Sequence, residues 1–243
     1  MAPYSGGMKL LLTSAGIAND SIGRALENLL GKPVSSSHAL FVPTAIYPFS
    51  GGSRQAMRAV RGQVATPLAE LEWGSLGLLE LTALPSLKPE HWAPALEEAD
   101  ALLVYGGNVA YLAHWLRESG VAALLPTLPN LLYVGVSAGT IAVTPSNCDA
   151  AFNREVLPID SSAARHADHG LGLVPFTTWV HVGHPDPMFE DHTMANAAAW
   201  ARSSGYATYA LDDESALSVV DGEVTVISEG TWVLFEPGST TNN

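Results

Sequence analysis

Residues 131–142 read LLYVGVSAGTIA, an apolar run that stops at a serine between two glycines and then resumes. Leu131 to Val136 is short, aliphatic and aromatic, the composition of a strand buried on both faces. Glycine and serine punctuate its end, and the following TIAV can start an apolar helix, so the segment predicts strand, tight turn, helix. One unit earlier the same order appears: ALLVYGGN (101–108) reads as a buried strand with a glycine turn, and VAYLAHWLRES (109–119) as the helix after it. Consecutive strand–turn–helix units predict parallel strands covered by helices.

Working outward, MKLLLTSA (8–15) is a first strand, and NDSIGRALENLLG (19–31) a helix with Asn19 or Asp20 placed to cap it. HALFVPTA (38–45) is a second strand, followed by a helix near 52–64, a strand near 77–82 and a helix opened by Pro89. A polar stretch with few periodic signals covers 149–170. LVPFTTWVHVG (173–183) is strand-like, and FEDHTMANAAAWARSS (189–204) is helical. The end is all β, with Asp221-Gly222 between alternating apolar residues as a hairpin turn. No repeat or long linker divides the chain, so one α/β domain over 8–238 is expected, with 1–7 and 239–243 as flexible ends.

The 243 residues are 47% hydrophobic and 14% charged, a globular balance that argues against disorder. A net charge of −13 without a Lys/Arg cluster excludes nucleic acid as a partner. No run approaches a membrane span and no secretory signal is evident at the N-terminus. Cys148 is the one cysteine, so no intramolecular disulfide can form and a reducing, cytoplasmic setting is expected.

The chemistry gathers around Gly135-Val136-Ser137-Ala138-Gly139. A strand, a sharp turn carrying a serine and a helix push the hydroxyl above the carboxyl edge of a sheet, the arrangement of a nucleophile elbow. Gly106-Gly107-Asn108 ends the preceding strand, where exposed N–H groups together with that of Ala138 can hold a developing oxyanion. A serine nucleophile needs a base. Of five histidines between 166 and 192, His181 ends a strand-like run and is the first choice, with His184 second. HADH and HVGH carry an H-x-x-H spacing but no intervening glutamate, so no metal site is expected. For the acid that orients the base, Asp212, Asp213 and Glu214 follow a short strand, and Asp149 and Asp160 are further candidates; spacing does not rank them.

Taken together, GVSAGT, YGGNVAYL, LGLVPFTTWVHV and LDDESAL resemble the dipeptidase E (aspartyl dipeptidase) family of serine peptidases, whose relatives resemble cyanophycinase. The resemblance runs from about Met8 to Phe235. It implies a three-layer α/β/α fold akin to class I glutamine amidotransferases, with a mostly parallel central sheet and a C-terminal β-hairpin. By motif, Ser137 resembles the nucleophile, His181 the general base and Glu214 the triad acid, with Gly107 and Ala138 as the oxyanion hole. No cofactor is implied. The family's aspartate preference goes with an arginine downstream of the histidine, and here that region reads FEDHTMANA. Asn108, His184, His192 and Arg165 stand as the candidate substrate contacts.

The expected activity is hydrolysis of short peptides, including dipeptides with N-terminal aspartate, with room for broader specificity. The alternatives are a cyanophycinase-like β-aspartyl peptidase, an esterase on the same scaffold, or a non-catalytic amidotransferase-like binding module.

Overall fold

The computed structural model describes residues 7–157 and 161–237; the ends at 1–6 and 238–243, and Asp160, lie outside the described residues. The chain begins β1 (Lys9–Thr13), α1 (Asp20–Leu30), β2 (His38–Val42), α2 (Gly52–Val60) and β3 (Ser75–Leu78). It continues α3 (Ala93–Glu98), β4 (Ala101–Val104), α4 (Val109–Glu118), α5 (Val121–Leu124), β5 (Leu132–Val136) and α6 (Ala138–Ala142). Then come α7 (Ala150–Glu155), α8 (Ser162–Arg165), β6 (Thr177–Trp179), α9 (Met194–Ser204), β7 (Thr208–Leu211), β8 (Ser215–Val220), β9 (Glu223–Ser228) and β10 (Trp232–Phe235).

Seven strands form a central sheet in the order β3-β2-β4-β5-β1-β8-β9. The first five run parallel, β8 is antiparallel to β1, and β9 returns as the hairpin at Asp221-Gly222. Each central strand feeds both faces of the sheet, as its period-2 geometry requires. Leu10 and Leu12 of β1 and Leu102 and Val104 of β4 pack with Leu112 of α4 and Ile141 of α6. The alternate residues Leu11, Leu103, Val134 and Val136 meet Ile22 and Leu26 of α1 and Ala56 and Ala59 of α2. Helices therefore cover both faces, which is why β4 and β5 read as unbroken apolar runs.

Local chemistry sets several boundaries. Asn19 caps α1 by accepting the Ile22 N–H at 3.0 Å, and Gly31 closes it at φ 71°. The strand expected near 77–82 lies earlier, because the pairing with β2 begins at Ser75↔His38. Pro89 opens only a single 3₁₀ turn before α3. The helix expected from 189 begins at Met194, where the Thr193 hydroxyl accepts the Asn196 N–H; residues 187–189 form a proline-led turn instead. The polar stretch 149–170 holds two short helices, α7 and α8, too brief for a periodic pattern to show.

A second sheet of three strands, β10-β7-β6, was not foreseen. Its arrangement matters for the site. β6 and β7 are parallel with Trp179 opposite Ala210, and the Val182 N–H extends the pairing to the Leu211 carbonyl. Residues just beyond the two strands thus emerge side by side. Among the described residues, no helix is long and apolar enough to cross a membrane.

Candidate active site

The carboxyl ends of β1, β4 and β5 lie next to one another, and the antiparallel β8 starts at the same edge, with Ala216 opposite Thr13. Ligands in open α/β sheets bind outside such an edge. Ser14, the turn Gly106-Gly107, Ser137 and the segment before Ser215 all converge there.

Ser137 links β5 to α6 with φ 51° and ψ −110°, a conformation an L-residue adopts only under strain. The surroundings hold it there. The Thr13 carbonyl accepts the Ser137 N–H at 3.1 Å and the Thr140 hydroxyl at 2.7 Å, and the buried Tyr133 hydroxyl donates to the Gly139 carbonyl at 2.7 Å. At Gly139 a Cβ would run into the Val104 carbonyl, so only glycine lets α6 settle against β4. Ser137 precedes the first turn of α6, and the Ala138 N–H, as a first-turn group, has no acceptor within the helix.

His181 lies two residues beyond β6 and is also held at positive φ, 59°. Its Nε2 stands 2.8 Å from Ser137 Oγ and its Nδ1 2.6 Å from Asp213 Oδ1. An ionised carboxylate only accepts, so Nδ1 carries the proton and Nε2 accepts from the serine hydroxyl. The Phe189 ring lies against the imidazole, centroids 4.4 Å apart. Ser14, fully buried at the end of β1, ties the pair together. Its Oγ accepts the His181 backbone N–H at 2.8 Å and donates to Asp213 Oδ1 at 2.8 Å. Burial opposes ionisation of Asp213, but the hydrogen bond and charge of His181 and the Ser14 hydroxyl outweigh it, holding the carboxyl below its ordinary range.

Glu214 does not reach the imidazole. Its side chain is exposed, its N–H donates to Asp212 Oδ1, and its carbonyl accepts from Asn19. The physical reason is the turn between β7 and β8: the Asp212 side chain accepts the Glu214 N–H and the Ser215 hydroxyl, which leaves Asp213, one residue earlier, facing inward. Asp213 was among the open alternatives; Ser14 was missed altogether. A polar pair, Thr13-Ser14, ending an otherwise apolar strand was the available signal.

A cavity of about 870 Å³ opens onto Ser137, Gly106 and Gly107. Gly107, at φ 137°, packs so closely on the Ala45 carbonyl that no Cβ fits. The other expected substrate contacts divide. His192 lines the cavity, its Nδ1 bonded to the Val180 carbonyl at 2.7 Å and its Nε2 3.8 Å from Asp149. His184 stands 3.5 Å from Asp213 Oδ2 and outside the cavity wall. Arg165 is exposed on α8 and is not part of that wall either. Asn108 is fully buried and serves the scaffold: Oδ1 caps α4 at the Tyr111 N–H and Nδ2 donates to the Asn153 carbonyl. Among the described residues, no group of three His, Cys, Asp or Glu side chains is placed to hold a metal ion.

Asp149, a candidate orienting acid by sequence, stands instead at the entrance to α7 and belongs to the cavity wall. Burial pushes its carboxyl up, while the charges of His192 and His181 and the Cys148 thiol pull the other way.

No curated protein matches the chain. Among solved structures it is similar to a protein assigned as a peptidase E from Listeria monocytogenes EGD-e, at 16% identity and a TM-score of 0.62, covering 92% of this chain and 99% of that one. It is also similar to a peptidase from an acI-B1 Actinobacterium, at 15% identity and a TM-score of 0.54, covering 97% of both. At these identities the likeness speaks for the fold. The sequence itself is more specific: the pattern of peptidase family S51 matches residues 10–227, nearly the whole chain, and the protein belongs to that family of serine peptidases.

Proposed function

We propose that the chain is an exopeptidase that hydrolyses short peptides, dipeptides among them, through Ser137, His181 and Asp213. The observation that carries this is the hydrogen-bonded line from Asp213 through His181 to a strained serine at the mouth of the cavity. Ser137 Oγ attacks the scissile carbonyl while His181 Nε2 takes its proton. The imidazolium, stabilised by Asp213, then protonates the leaving amine, and water releases the acyl group by the reverse sequence. The N–H groups of Gly107 and Ala138 receive the oxyanion, and losing one such donor costs about 3 kcal/mol of transition-state stabilisation.

No cofactor enters these steps. Preference for N-terminal aspartate is not part of the reading, because a carboxylate side chain needs a charge-assisted donor. The cavity wall holds neither lysine nor arginine among the described residues. The test is Ser137→Ala against a panel of dipeptides, with a fluorophosphonate probe as a second readout. Turnover and covalent labelling should both vanish while the circular dichroism spectrum stays native. A variant that still cleaves at the wild-type rate would refute the assignment.

A further inference from the structure

Apart from His192, the ionisable acidic and basic side chains of the cavity wall are, among the described residues, all carboxylates or neutral. The wall carries Asp149, Glu155 and Asp191, and no lysine or arginine among the described residues. Two basic residues adjoin wall residues in the chain: Arg154, beside Glu155, forms an ion pair with Asp168, and Arg54, beside Gln55, is exposed on α2 and is not part of the wall. Asp149 is the least exposed of the three carboxylates and receives no N–H or O–H hydrogen bond among the described residues. It has only the Cys148 thiol and His192 Nε2, each at 3.8 Å. A partly buried anion with only these distant partners is poorly compensated, and a closer cation would stabilise it. Burial raises its pKa against the opposing pull of His192 and His181.

The same wall offers aromatic faces. Phe49 and Phe152 stack with centroids 6.0 Å apart, and Phe152 is 43% exposed. Trp179, its ring centroid 5.8 Å from that of His192, lines the same cavity. Aromatic faces next to carboxylates favour an ammonium or guanidinium group, which gains from both the ring quadrupole and the charge. A peptide beginning with aspartate would instead place a fourth carboxylate among three.

Resting on Ser137 as the nucleophile, we propose that the substrates are peptides whose first residue carries a cationic side chain, lysine or arginine, selected by Asp149, Glu155 and Asp191. Selection acts on the acyl side of the cleaved bond, in the space next to Ser137. The unblocked α-ammonium adds to the same attraction.

The experiment measures kcat/KM for Lys-Leu, Arg-Leu, Ala-Leu and Asp-Leu at low and high salt. Lys-Leu and Arg-Leu are expected to exceed Asp-Leu by about 100-fold at low salt, with Ala-Leu between, since each tenfold step needs only ~1.4 kcal/mol. Screening at high salt should narrow the ratio. Asp149→Asn should cut the Lys-Leu to Asp-Leu ratio about tenfold, and the triple change with Glu155→Gln and Asp191→Asn should nearly abolish it. Asp-Leu turned over as well as Lys-Leu, or a ratio unmoved in the triple variant, would overturn the proposal. Turnover of Ala-Leu that disappears in Ser137→Ala would, in that case, leave the peptidase reading standing. If no dipeptide is cleaved, the peptidase reading falls. Calorimetric binding of Lys-Leu and Asp-Leu to Ser137→Ala then judges the charge selection alone: tenfold tighter Lys-Leu supports it, and equal or weaker binding rejects it.

Discussion

Replacing Asp213 by asparagine removes one negative charge and nearly preserves shape. The surrounding hydrogen bonds set the consequence. Ser14 Oγ already accepts the His181 backbone N–H, so its own proton must point at Asp213 Oδ1, the atom that also faces His181 Nδ1. An amide placed there satisfies both donors only with its oxygen at that position. The imidazole therefore keeps its tautomer, and what is lost is the attraction between the carboxylate and the imidazolium formed during attack. For charge centres about 4 Å apart at an effective dielectric near 20, that attraction is roughly 4 kcal/mol. Asp213 is 29% exposed on its side chain, so solvent reduces it to about 3 kcal/mol. At ~1.36 kcal/mol per decade, Asp213→Asn should lower kcat by 10²- to 10³-fold with KM little changed. Glu214→Gln, one residue away and exposed, should stay within about threefold of wild type. Steady-state hydrolysis of the best dipeptide reads both. If Asp213→Asn keeps a tenth or more of the wild-type kcat, or Glu214→Gln falls as far, the assignment of the third group is wrong.

Ser137→Gly should melt about 2–4 °C above Ser137→Ala, because both lose the hydroxyl but only glycine relieves a backbone at φ 51° worth about 1 kcal/mol or more; calorimetry in which alanine melts higher would deny the strain. Ser14→Ala leaves the His181 N–H without its acceptor and frees the imidazole to turn, so kcat should drop about 10- to 100-fold while KM holds; a change confined to KM would count against a positioning role. Asp149→Asn removes a carboxylate whose pKa is raised in the folded state by burial. That cost applies above the folded pKa and disappears below the unfolded value of about 4, so the variant's gain in melting temperature should be largest at pH 7 and close as pH falls toward 4. A gain that grew on acidification would contradict that sign.

Local pattern determined much of this protein. Leu10 to Leu12, Leu102 to Val104 and Leu132 to Val136 are strands because aliphatic runs of that length must be buried on two faces, and helices with one apolar stripe must cover them. The serine between Gly135 and Gly139 was legible for a similar reason: a helix can lie that close to the sheet only where a side chain is missing. His181 was legible as the end of a strand. Tertiary structure decided the rest. Which of Asp212, Asp213 and Glu214 meets the imidazole depends on how one turn is hydrogen-bonded, and neighbours in sequence point in different directions there. Ser14 and Asp213 touch only because β1 and β8 pair across two hundred residues of chain. Asn108 looked like a ligand contact and is a helix cap, since its neighbours α4 and α7 consume its polar atoms. The acidic wall of the cavity was beyond a linear reading as well. Asp149 and Glu155 flank one short helix, α7, but Asp191 follows β6, and only folding brings the three to one wall while Arg154 pairs with Asp168.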